Sequence, residues 1–61
     1  MDSNKLQELI WEHEKKLNEL ETKSSQNRYY GKYELAQLQE DEADNHRNML
    51  VYYRMMMERV N

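Results

Sequence analysis

Leu6, Leu9, Ile10, His13, Leu17 and Leu20 recur at helical spacing along the first third of the chain. At 100° per residue they fall within a sector of roughly 100°, the single apolar face of an amphipathic α-helix. Glu8, Glu12, Lys15 and Glu19 take its back. Asp2, Ser3 and Asn4 are all good N-cap types, and Asn4 to Gln7 has capping-box spacing. The pattern predicts a helix over about 4–27.

Periodicity fades across Thr22 to Asn27 and resumes after Tyr29-Tyr30-Gly31-Lys32. Gly31 is the only glycine, and glycine readily takes the left-handed conformation that ends a helix. A second stripe runs through Leu35, Leu38, Glu42, His46, Met49, Leu50, Tyr53, Met56, Met57 and Val60. It predicts a helix over about 33–59, with a bend over about 28–32. Two helices of similar length about a central break imply an all-α, two-helix antiparallel hairpin forming a single helical domain over 1–61. Folding at Gly31 sets residue i level with about 62 − i, so Leu6 meets Met56 and Ile10 meets Tyr52 or Tyr53. The alternative is one long helix in a coiled coil, because a single glycine costs a helix only about 1 kcal/mol against alanine.

Length changes the picture next. A chain of 61 residues buries only about 60% of the surface its unfolded form exposes. Domains this small usually add a disulfide, a metal or a partner chain. Cysteine is absent, which excludes disulfides and thiolate metal sites and leaves partner chains as the common remedy. Self-association into a helical bundle is therefore expected. No window nears the roughly 20 apolar residues of a membrane span, and the opening stretch lacks the apolar run of a secretory signal. A cytoplasmic protein with no membrane contact is the resulting expectation. The net charge is −3, with signs mixed and no sustained basic stripe of the kind that binds nucleic acid.

The stretch LVYYRMMMERV, residues 50–60, carries more soft apolar surface than one seam can hide. On a helical wheel Met49, Leu50, Tyr53, Met56, Met57 and Val60 face the hairpin seam, whereas Val51, Tyr52 and Met55 point elsewhere. Trp11 likewise stands roughly 150° from the centre of the first stripe. Trp, Tyr and Met are the types enriched at protein interfaces. Trp11, Val51, Tyr52 and Met55, joined by the seam residue Met56, are the candidate interface.

Three polar features compete with that reading. Glu42 and His46 interrupt the second stripe, with Asn45 at its edge and His13 on the first helix. Together His13, Glu42, Asn45 and His46 predict a hydrogen-bonded polar layer that fixes register. A carboxylate-bridged metal site would need Glu-x-x-His on two helices and further glutamates, so no metal and no cofactor are expected. The acidic run Gln39-Glu40-Asp41-Glu42-Ala43-Asp44 reads as a solvated helix face rather than a nucleic-acid mimic. Arg28, Tyr29, Tyr30, Lys32 and Tyr33 around the bend read as tyrosines packing over the hairpin's end, in preference to a platform for single-stranded nucleic acid.

No Ser-His-Asp constellation, glycine-rich phosphate loop or reactive cysteine offers a foothold for catalysis. The sequence thus predicts a non-enzymatic regulator, adaptor or inhibitor, phage- or bacterial-like in size and composition. It would dock an apolar, aromatic helix surface on another protein. The alternative is a structural protein whose helical-bundle oligomer is itself the function.

Overall fold

The computed structural model describes the backbone of residues 2–60 and the side chains of residues 2–59. It is a hairpin of two α-helices, α1 (Ser3–Tyr29) and α2 (Tyr33–Val60). Asp2, with extended backbone, caps α1 by accepting a hydrogen bond from the Lys5 amide at 2.8 Å. The cap therefore falls two residues ahead of the Asn4 capping-box alternative.

The reversal is built from backbone alone. The Lys32 amide donates to the Asn27 carbonyl at 2.7 Å and the Gly31 amide to the Arg28 carbonyl at 3.1 Å. These are the paired bonds of a Schellman motif, which needs a left-handed residue just past the helix end. Gly31 supplies it with φ of 80°. The Lys32 carbonyl then accepts from the Ala36 amide at 3.0 Å, starting α2.

Two helices lying antiparallel share one seam. On α1 it is formed by Leu6, Ile10, His13, Leu17, Leu20, Ser24 and Asn27, all buried or half-buried. On α2 it is formed by Ala36, Gln39, Ala43, His46, Leu50, Tyr53 and Met57. Steps alternate three and four in both, the heptad spacing of coiled-coil packing. Among the described residues only Leu6, Leu20, Ala36, Ala43 and Leu50 are buried apolar residues. Near the loop the seam is small and polar: Ala36, Ala43, Ser24, and an Asn27 side chain donating to Gln39 at 2.8 Å. The large apolar side chains gather toward the open end.

The seam of α2 lies one position away from much of the predicted stripe. Leu35, Leu38, Glu42 and Met49 are exposed, and the positions one residue later, Ala36, Gln39, Ala43 and Leu50, enter the seam. Large side chains pulled the sequence reading toward one flank, while two alanines with little hydrophobic weight mark the true contact line. Small residues win because they let the backbones approach. Val60, the last member of that stripe, has its side chain outside the described residues.

Three interhelical ion pairs repeat every heptad along one flank: Glu14–Arg54 at 2.9 Å, Glu21–Arg47 at 2.7 Å and Arg28–Glu40 at 2.7 Å. Each α2 partner stands six residues beyond the 62 − i level. Helical side chains lean toward their own N-terminus, so in an antiparallel pair the tips meet past the Cα levels. All three pairs are exposed, and exposed pairs contribute only about 0–1 kcal/mol each. Their signs matter more than their strength. A slip of one heptad would set Glu21 against Glu40 or Arg28 against Arg47, so only the observed register satisfies every pair.

A Cβ placed on Gly31 would meet nothing within 4 Å, so substitution there tests conformation alone. Gly31→Ala is expected to cost about 1–2 kcal/mol. D-alanine at the same position in a synthetic chain should stabilise by about 0.4–1 kcal/mol. Urea denaturation followed by circular dichroism measures both, and equal effects of the two enantiomers would contradict the left-handed turn.

Leu6 and Leu50 are the largest fully buried side chains among the described residues. Either one changed to alanine should cost about 2–5 kcal/mol, much of what so small a domain possesses. A loss under about 1 kcal/mol in the same titration would mean that the seam is looser than described.

Candidate interaction surface

Because the seam hides one stripe per helix, the hairpin has two broad flanks, and they differ. The first is the charged flank, where the three ion pairs bridge the helices. Its edges carry Trp11 on α1 and Val51 on α2, which are level with each other about Gly31. Trp11 is 71% exposed and Val51 57%. Between them the Glu14–Arg54 pair lies over the seam leucines Leu17 and Leu50, and a shallow groove here is lined by these residues with Val51 and Arg47. Met55, also exposed, stands one turn beyond Val51 on the outer side of α2.

The opposite flank is apolar. On α2 it presents Leu35, Leu38, Glu42, Asn45, Met49, Tyr52 and Met56, again at alternating steps of three and four. Leu38 is 65% exposed, Tyr52 58%, Leu35 45% and Met49 39%. On α1 the same flank presents Leu9, Glu12, Lys16, Glu19 and Lys23. Among the described residues no ion pair spans the helices on this side; Lys16 pairs weakly with Glu19 of its own helix at 3.9 Å.

The candidate interface residues therefore do not form one patch. Trp11 and Val51 share the charged flank, Met55 adjoins Val51, and Tyr52 lies on the apolar flank. Met56 is half-buried against α1, so it is less open to a partner than its place among the interface residues implied. Leu35 and Leu38 belong to the surface and not to the predicted core stripe. Their signal was present in the step pattern, which continues the Met49–Tyr52–Met56 row toward the loop.

The predicted polar layer is brought together in part. His13 and His46 meet with Nδ1 to Nδ1 at 2.7 Å, one ring donating and the other accepting according to tautomer. The His13 ring also lies 5.5 Å from Tyr53. Glu42 and Asn45 are exposed and take no part in this contact. They sit on the apolar flank, one heptad row away from the seam that His46 occupies. The open side of the histidine pair is lined by Glu12, Lys15, Lys16 and Glu19. Among the described residues no group of three or more His, Cys, Asp or Glu side chains is placed to hold a metal ion.

At the bend the tyrosines do not pack over the hairpin's end. Tyr29, Tyr30 and Tyr33 are all exposed, since the Schellman turn closes through backbone bonds and needs no aromatic lid. Tyr29 and Tyr30 make an edge-to-face pair at 5.2 Å. Arg28 is held by both Glu40 oxygens and lies 6.0 Å from the Tyr33 ring centre. In the acidic run, Glu40 is engaged by Arg28 and Asp44 bonds Arg47 of its own helix.

No protein-family model, curated protein or solved structure matches the chain. No helix among the described residues is long and apolar enough to cross a membrane.

The histidine pair makes a testable claim about energetics. Removing one ring leaves the other Nδ1 without its partner, whereas removing both dissolves the requirement. The double variant His13→Leu/His46→Leu is expected to be at least as stable as the wild type. Its stability should exceed the sum of the single-variant effects by about 1 kcal/mol. Strict additivity in a thermal-unfolding cycle would show that the two rings do not act as a pair.

Proposed function

We propose that this protein is a non-catalytic interaction module, acting as a regulator, adaptor or inhibitor in the cytoplasm by occupying the surface of another protein. One observation carries the reading: Trp11, the largest apolar side chain present, stands 71% exposed. Nothing in the hairpin requires it there. A tryptophan held on a rigid helix loses little entropy on docking and fills a partner's pocket well. Val51 and Met55 are further exposed apolar residues on α2, separated from Trp11 by the Glu14–Arg54 pair, which already satisfies its own charges. That arrangement, an aromatic anchor beside a polar border, is the composition of a protein-binding hot spot. The occupant that fits is an apolar cleft on a folded protein, bordered by groups able to bond Asn4, Gln7 and Asn18 beside the tryptophan.

The thin core supports a homo-oligomer as well, and in a second reading the assembled bundle is itself the function. The apolar flank favours that reading and is independent of Trp11.

The deciding test uses Trp11→Ala, which removes no seam residue. Circular dichroism should show unchanged helix content. Affinity capture from the source cell should lose its stoichiometric partner protein, with binding weakened by about 2 kcal/mol or more. A Trp11→Ala protein that captures the same partner with undiminished affinity would remove the anchor role and, with it, this reading.

A further inference from the structure

We infer that the apolar flank is the docking site for a second copy of this chain, arranged antiparallel about a two-fold axis, with α2 on α2 and α1 on α1. The inference concerns a different face from the Trp11 patch and stands whether or not that patch binds a partner.

The apolar half of the argument lies on α2. Leu35 and Leu38 occupy one end of the row, and Met49, Tyr52 and the half-buried Met56 occupy the other, with Glu42 and Asn45 between them. A two-fold axis perpendicular to the helices near Asn45 lays each apolar end on the opposite end of the second copy. It also brings the amide of Asn45 beside the second copy's Asn45, where the two can exchange hydrogen bonds. Glu42, one step away, is the other polar member of the row, and polar residues in a largely apolar seam fix register in this way.

The charged half lies on α1 and gives the axis independently. The row reads Glu12, Lys16, Glu19, Lys23. Turned about a point between Leu17 and Asn18, Lys16 faces the second copy's Glu19 and Lys23 faces the second copy's Glu12, each contact occurring twice. No other antiparallel register pairs all four charges. A point between residues 17 and 18 of α1 is level with residues 44 and 45 of α2. The two halves therefore place the axis within about one helical turn of each other, although they share no residue.

Size and sign agree with the occupant. The broad side of a 45 × 14 × 12 Å slab, widened by its side chains, is on the order of the ~800 Å² per partner that a standard interface buries. Parallel docking, with loops at one end, would instead set α1 over α2, away from the complementary charges on the second α1. A closed, isologous pair is also the commonest form of small oligomer.

Three measurements test this with the full chain. Sedimentation equilibrium should give a dimer. Leu38→Glu and Met49→Glu, both surface changes on the isolated hairpin, should weaken it by at least about 100-fold while circular dichroism still reports helix. A second test inverts charges: Lys16→Glu/Lys23→Glu and Glu12→Lys/Glu19→Lys proteins should each dimerise poorly alone and form a heterodimer when mixed. The third sets the direction. Spin labels at Lys32→Cys, the chain having no native cysteine, should lie roughly one molecular length apart, about the 45 Å long axis. A monomer at millimolar concentration, no gain on mixing the inverted pair, or labels close together would each overturn the proposal.

Discussion

Two cylinders lying side by side can hide only a narrow stripe of each. Every other property of this molecule derives from that limit. Among the described residues the hidden stripes amount to three buried leucines and two buried alanines, with half-buried side chains around them. Such a seam is enough to pair the helices once a tight turn has set them antiparallel. It cannot absorb the apolar residues that the sequence carries, so these remain on the outside as a matter of geometry. The chain's functional potential is this remainder.

The two flanks deal with the remainder differently. Where Glu14, Glu21 and Arg28 face Arg54, Arg47 and Glu40, the groove between the helices is roofed by charge and its apolar floor is mostly covered. Where Lys16 and Lys23 face Met49 and Glu42, no roof forms among the described residues. A hairpin with one roofed groove and one open groove has an inside and an outside in waiting, which a symmetric pair of stripes would lack.

Much of the fold was legible in the chain, because its signals are local. The α1 stripe, the break and the role of Gly31 rest on spacing and on the singular conformational freedom of glycine, and these the structure shows. The rotation of α2 was not legible, since hydrophobic size and seam position diverge there. Leu35 and Leu38 outweigh Ala36 and Gln39 in any tally of apolar character, yet close helix packing selects the small pair. The same divergence hid the surface row, since Leu35, Leu38, Glu42, Met49 and Met56 all fall within the stripe that the sequence assigns to the core. His13 and His46 were readable as neighbours from their shared faces, whereas Glu42 and Asn45 were assigned to the layer by adjacency and belong to another row. The ion-pair ladder was not read from the sequence, since the signs of Glu14, Glu21 and Arg28 acquire meaning only when the helices are set antiparallel.

The uneven seam has a mechanical consequence. Pulling the two ends of the chain apart loads the hairpin at its open mouth, where Leu6, Ile10, Leu50 and Met57 concentrate the apolar contact. Resistance is met at the first ångströms of extension. Deeper in, toward the loop, stand Ser24, Asn27, Ala36, Gln39 and Ala43, which hold little once water enters. Under tension the molecule behaves as a latch rather than a zip: it bears load until the mouth gives way, and then parts along its whole length at once.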